Sequence, residues 1–135
     1  MPDQSPALAF ERVTRAYGAT IAVDAVSLEI AGGSFVALVG TSGSGKSTLL
    51  KTINRLVEPS DGRVLLDGTD VTHGPAPALR RRVGYVFQNI GLFPHMTIAE
   101  NIAIGLRIAG RGDEADVGAL LDLVDLPRGI AGRLR

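Results

Sequence analysis

Eight consecutive residues carry the densest chemistry in the sequence: Gly40, Thr41, Ser42, Gly43, Ser44, Gly45, Lys46 and Ser47. Their order satisfies G-x-x-x-x-G-K-[ST]. Three glycines let the backbone curl until several N–H groups point at one centre, which is how a loop holds an anion. Lys46 then adds a full charge able to reach the β- and γ-phosphates of a nucleotide, and Ser47 a hydroxyl ligand for Mg²⁺. Thr48 supplies a further hydroxyl for the α-phosphate.

Such a loop works only between a strand that aims it and a helix that completes it. Phe35–Val39 is a continuous apolar run, the pattern of a strand buried on both faces. On the other side Leu49, Leu50, Ile53, Leu56 and Val57 recur at helical spacing, until Pro59, Asp61 and Gly62 end the helix. The helix adds unpaired N–H groups and the positive end of its dipole to the same anion site. With these flanks the segment reads as a P-loop, not as a glycine-rich turn.

The rest of the chain alternates in type. Leu8–Val13 and Ala22–Ile30 show period-two patterning and predict half-buried antiparallel strands, with turns at Gly18 and Ala31–Gly33. Arg63–Gly68 predicts a short strand and turn. A short helix is expected over Leu79–Arg82, then a strand over Val83–Phe87 ending at Gln88. Thr97 and Glu100 form a capping box opening a helix to about Ile108, with Gly110 as its stop. A last helix is expected over roughly Asp113–Leu126, burying Leu120, Leu121 and Val124 ahead of Pro127.

A P-loop alone names no substrate. In its full context, however, the chain resembles the ATP-binding cassette (ABC) family over nearly its whole length. The antiparallel strands ahead of the loop belong to that resemblance, as does Val64-Leu65-Leu66-Asp67-Gly68. The resemblance implies an α/β P-loop NTPase fold with N-terminal antiparallel strands, a partial central parallel sheet and the start of a helical subdomain. It implies an ATP-binding core over residues 1–88 and a helical subdomain beginning over 89–135. It gives Tyr17 the role of stacking on adenine. It also identifies Gln88, in Tyr85-Val86-Phe87-Gln88-Asn89, with the family's Q-loop glutamine, which approaches Mg²⁺ and the attacking water. Within the family, Ile53–Pro59 and Ile90–Thr97 look like ATPase subunits of importers for quaternary-amine osmoprotectants such as glycine betaine, choline or proline betaine.

In functional terms the resemblance implies an ATP-binding, MgATP-hydrolysing importer subunit. It would pair head to tail with a second nucleotide-binding subunit and drive transmembrane permease subunits from the cytoplasmic face of the plasma membrane. The alternatives are a non-catalytic or degenerate nucleotide-binding module, or an ABC ATPase for another solute such as an amino acid or a polyamine. A small kinase would need a substrate site and a lid, and the sequence offers neither. The signature Leu-Ser-Gly-Gly-Gln, the acidic strand end called Walker B with its glutamate, and the switch histidine have no counterpart in these residues. The sequence therefore reads as an N-terminal fragment that binds nucleotide but does not hydrolyse it alone, and that is prone to aggregate.

Composition narrows the field in the same direction. Among 135 residues, Lys and Arg number 14 and Asp and Glu number 14, so the net charge is zero and nothing favours nucleic acid. With no cysteine, disulfides, thiolate metal sites and cysteine nucleophiles are excluded. No run of about 18 apolar residues occurs, and Met1-Pro2-Asp3-Gln4 does not open a secretory signal.

Several short matches carry no chemistry. Asp113-Glu114-Ala115-Asp116 spells a helicase-like box, but no apolar strand precedes it; its acids suit a helix N-terminus. Arg111-Gly112-Asp113 has no adhesion partner, and Ala119–Asp122 has helical rather than strand spacing. His73 and His95 lack metal-ligand spacing; the resemblance sets His95 near a permease-facing surface. Arg80-Arg81-Arg82 reads as a solvated face.

Overall fold

A computed structural model describes residues 7–89 and 91–134. The opening Met1–Gln4 stretch, Ile90 and Arg135 lie outside these residues. The chain forms two compact units, one up to Val83 and one from Gly84 onward.

The first unit is built on one antiparallel sheet. β1 (Leu8–Tyr17) is joined to β2 (Thr20–Ile30) by a tight turn and pairs on its other side with β3 (Asp61–Leu66). A second turn, through Asp67 and Gly68 at φ 49° and 74°, folds back a two-residue strand, β4 (Thr69–Asp70). Positive φ at both central positions suits the right-handed twist of a hairpin. The strand order is β2-β1-β3-β4. The expected antiparallel strands are therefore present, each longer than its alternating run.

That extra length includes bulges. Arg12 and Ala25 adopt φ of 49° and 42° where the β1–β2 register shifts. Ser27 Oγ accepts from the Arg12 N–H at 3.0 Å, and Thr14 Oγ1 from the Ala25 N–H at 2.9 Å. Hydroxyl side chains thus take over from the ladder where the extra residues break it.

Two helices accompany the sheet. α1 (Lys46–Ile53) buries Leu49 and Thr52, and α2 (Ala76–Arg82) buries Leu79. Phe10, Val13, Val23, Leu49, Val64 and Leu79 form the centre of the core. Burying each such side chain contributes about 1.5–3 kcal/mol.

Two expected strands do not form. Residues 34–40 and 84–87 belong to no sheet. Leu38 packs against the core, but Phe35 is 96% exposed, Val39 93% and Val86 94%. A strand needs a ladder partner for its N–H and C=O groups. The four-stranded sheet formed by the described residues is antiparallel and includes neither run. Their unbroken apolar pattern suits neighbours on either side, which these residues do not provide.

The second unit is helical. α3 (Ile98–Ile108) and α4 (Val117–Leu123) are separated by a 3-10 turn at Gly112–Glu114. The capping box forms as expected: Glu100 N–H donates to Thr97 Oγ1 at 3.2 Å, and Thr97 N–H to Glu100 Oε2 at 2.8 Å. Gly110 follows the helix at φ 73°. The last helix starts at Val117, later than its spacing predicts, because Asp116 caps it, its Oδ1 accepting from the Ala119 N–H at 2.9 Å, and it ends at Leu123. Leu121 is buried, whereas Leu120 and Val124 are exposed. No helix of the described residues is long and apolar enough to cross a membrane.

Candidate functional site

The loop ahead of α1 takes the curled form its glycines permit. Gly43 and Gly45 have φ of 81° and 90°, and Ser44 N–H donates back to the Thr41 carbonyl at 3.2 Å. Gly45 sits against β2: a Cβ there would stand 2.1 Å from the Ala22 carbonyl oxygen. Sequence reading missed Ala22, whose backbone carbonyl faces Gly45.

Lys46 reaches back over this loop. Its ammonium donates to the Gly40 carbonyl at 2.9 Å, the Thr41 carbonyl at 2.6 Å and Ser44 Oγ at 3.0 Å. Three contacts from one amine put a positive charge at the focus of the curl. The first helical bond runs from Leu49 N–H to the Gly45 carbonyl, so the N–H groups of Lys46, Ser47 and Thr48 are not used within the helix. No acid stands in that first turn to compete with an anion. Gly43 to Thr48, with Ala22, line one open hollow of about 190 Å³. Ser47 is exposed and Thr48 half-buried there.

The far end of α1 is held as firmly. Arg80 donates from Nε to the Asn54 carbonyl at 3.0 Å and from Nη2 to the Arg55 carbonyl at 2.7 Å. A cation on the last carbonyls satisfies them and opposes the negative end of the helix dipole. Asn54 is buried, its Oδ1 accepting from the Leu56 N–H at 3.2 Å. The arginine triplet is exposed at all three positions, as a solvated face is, but its members differ in their contacts: Arg80 caps α1 and Arg82 pairs with Asp67 at 3.0 Å.

Tyr17 is the last residue of β1 and is 48% exposed. One ring face is covered by Arg15, whose guanidinium carbon lies 4.4 Å from the ring centroid. Sequence reading missed Arg15; its place two residues before Tyr17 on one strand was the available signal.

Gln88 belongs to the second unit, exposed in a bend. Just before it, Tyr85 and Phe87 meet edge to face at 5.0 Å. Further on, Asn101 organises the segment that carries His95. Its Oδ1 accepts from the Phe93 N–H at 2.7 Å, and its Nδ2 lies 3.1, 3.2 and 3.0 Å from the carbonyls of Phe93, Met96 and Thr97. No group of three or more His, Cys, Asp or Glu able to hold a metal occurs among the described residues.

The family profile described as ABC transporter matches residues 23–133. The chain is 49% identical over 98 residues to the glycine betaine/carnitine/choline transport ATP-binding protein OpuCA of Bacillus subtilis, covering 72% of this chain and 26% of that protein. It is 47% identical over 133 residues to the sulfate/thiosulfate import ATP-binding protein CysA of Caulobacter vibrioides, covering 93% and 38%. It is 44% identical over 122 residues to the spermidine/putrescine import ATP-binding protein PotA of Protochlamydia amoebophila, covering 88% and 32%. The chain therefore spans between a quarter and two fifths of these relatives. Among solved structures, the dimeric post-hydrolysis state of the cassette MJ0796 bound to ADP and Pi superposes with a TM-score of 0.78 at 29% identity, covering 94% of this chain and 61% of that one.

Proposed function

Because the chain belongs to the ABC transporter family, we propose that it is the nucleotide-binding portion of an importer's ATP-binding subunit. The observation that carries the reading is the Lys46 ammonium held by Gly40, Thr41 and Ser44 at the mouth of a helix whose first N–H groups are free of helical bonds. Charge and oriented N–H groups converge there on a space suited to phosphates. ATP is the ligand: the P-loop takes its phosphates and Tyr17 stacks on its base.

Magnesium enters with the nucleotide. Ser47 has the right chemistry, an exposed hydroxyl in the first turn of α1; for Gln88, the resemblance of Tyr85-Val86-Phe87-Gln88-Asn89 to the family's Q-loop supports a role toward the same ion. The metal would neutralise charge on the β- and γ-phosphates. In the whole protein, hydrolysis in a head-to-tail dimer would drive permease subunits. Osmoprotectant uptake is supported by Ile53–Pro59, Ile90–Thr97 and the likeness to OpuCA; the sulfate and polyamine importers among the relatives support the alternatives.

Calorimetric titration with MgATP tests the site. Lys46→Ala is expected to weaken binding at least about tenfold, roughly the 1.4 kcal/mol of one charge-assisted contact. Unchanged affinity would sink the assignment. Uptake of labelled glycine betaine, sulfate and spermidine by cells lacking the protein tests the solute: only glycine betaine uptake should fall.

A further inference from the structure

Arg15 occupies a position that core packing alone does not explain. Its Nη1 donates to the Glu58 carbonyl at 3.0 Å, yet its Nε is buried with no hydrogen-bond partner. A buried orphan donor in a native structure calls for a reason. Here the guanidinium lies over the Tyr17 ring, where the ring quadrupole attracts a cation.

The strand around Arg15 is fastened to the same segment it reaches. Ser60 N–H donates to the Thr14 carbonyl at 2.7 Å, and Ala16 N–H to Ser60 Oγ at 3.1 Å. That segment is the exit from α1, where the N–H groups of Leu56 and Val57 both return to the Lys51 carbonyl. One side chain therefore joins the end of the phosphate-binding helix to the aromatic ring.

We propose that Arg15 is a positioning residue that backs the Tyr17 ring and leaves its opposite face as the stacking surface for the nucleotide base. The inference rests on the reading of Tyr17 as the base platform. Arg15 itself touches no nucleotide: it blocks one ring face, restricts the ring's rotation, and ties the platform to the element that sets the phosphates.

Binding of ATP and of inorganic tripolyphosphate to the full chain separates the contributions, since tripolyphosphate has no base to stack. Arg15→Met is expected to weaken ATP about twofold to fivefold, the range of one exposed cation–π contact, and to leave tripolyphosphate unchanged. Arg15→Lys should recover part of the loss. Tyr17→Leu should lower ATP affinity without altering tripolyphosphate, and adding Arg15→Met to it should do nothing more. If Tyr17→Leu lowers the ATP preference but Arg15→Met does not, the positioning role is overturned and the platform stands. If Tyr17→Leu leaves the preference intact, the platform reading itself fails. Equal weakening of both ligands by Arg15→Met would make Arg15 a support of the loop, and the proposal would be wrong.

Discussion

Gly45 and Ala22 touch backbone to backbone: the strand carbonyl stands where any side chain at Gly45 would have to begin, 2.1 Å from the position of a Cβ. The contact seats the P-loop on β2, and it makes the third glycine of the loop necessary for two independent reasons, φ and space.

Gly45→Ala should therefore cost stability and binding together. A positive φ of 90° strains an L-residue by about 1–3 kcal/mol before the clash is counted. Gly18→Ala is the control, since Gly18 has φ 59° with nothing within 4 Å of its Cβ position. Urea midpoints should fall much further for Gly45→Ala; equal losses would mean that the Ala22 contact does not matter.

Removing the Arg80 guanidinium should loosen α1 from its far end. Arg80→Ala is expected to destabilise the chain by about 1–3 kcal/mol, since two charge-assisted bonds to carbonyls disappear. Arg81→Ala should stay within about 0.5 kcal/mol. Amide exchange in α1 is the sharper measurement, and protection that survives Arg80→Ala would refute the capping role.

The reading of the sequence succeeded where pattern and partner lie close together. Thr97 and Glu100 are three residues apart, and their reciprocal bonds need nothing else. The loop from Gly40 to Ser47 was legible for the same reason: its glycines and lysine act on one another's backbone. Phe35–Val39 and Val83–Phe87 were misread because an apolar run states only what a strand would prefer, not whether a neighbour exists to pair with it. Arg80 was missed because it works on Asn54 and Arg55, far back along the chain, where no spacing rule reaches.

The Glu100 carboxyl is held below the usual carboxylate range, first by the Thr97 N–H and then by the Thr97 hydroxyl. A depressed folded value means stability present above the ordinary Glu pKa, about 4.3, and lost as pH falls through the lower folded value. Glu100→Gln keeps a capping amide without the titration. Its urea midpoint should vary less than wild type between pH 5 and pH 3, on the order of the range where carboxylates protonate. Parallel profiles would count against the linkage.

The exposed apolar runs should govern solubility. Phe35→Ser with Val39→Ser is expected to reduce self-association in sedimentation experiments with little loss of stability, since both side chains are almost wholly exposed. A large fall in the melting temperature would mean that they pack in solution.

Asn101 spends its amide on the backbone of Phe93, Met96 and Thr97 from a seat on the first turns of α3. A loop tethered at several points along its length has lost the slack by which loops absorb a push. Segment 93–97 is anchored to α3 through the single amide of Asn101.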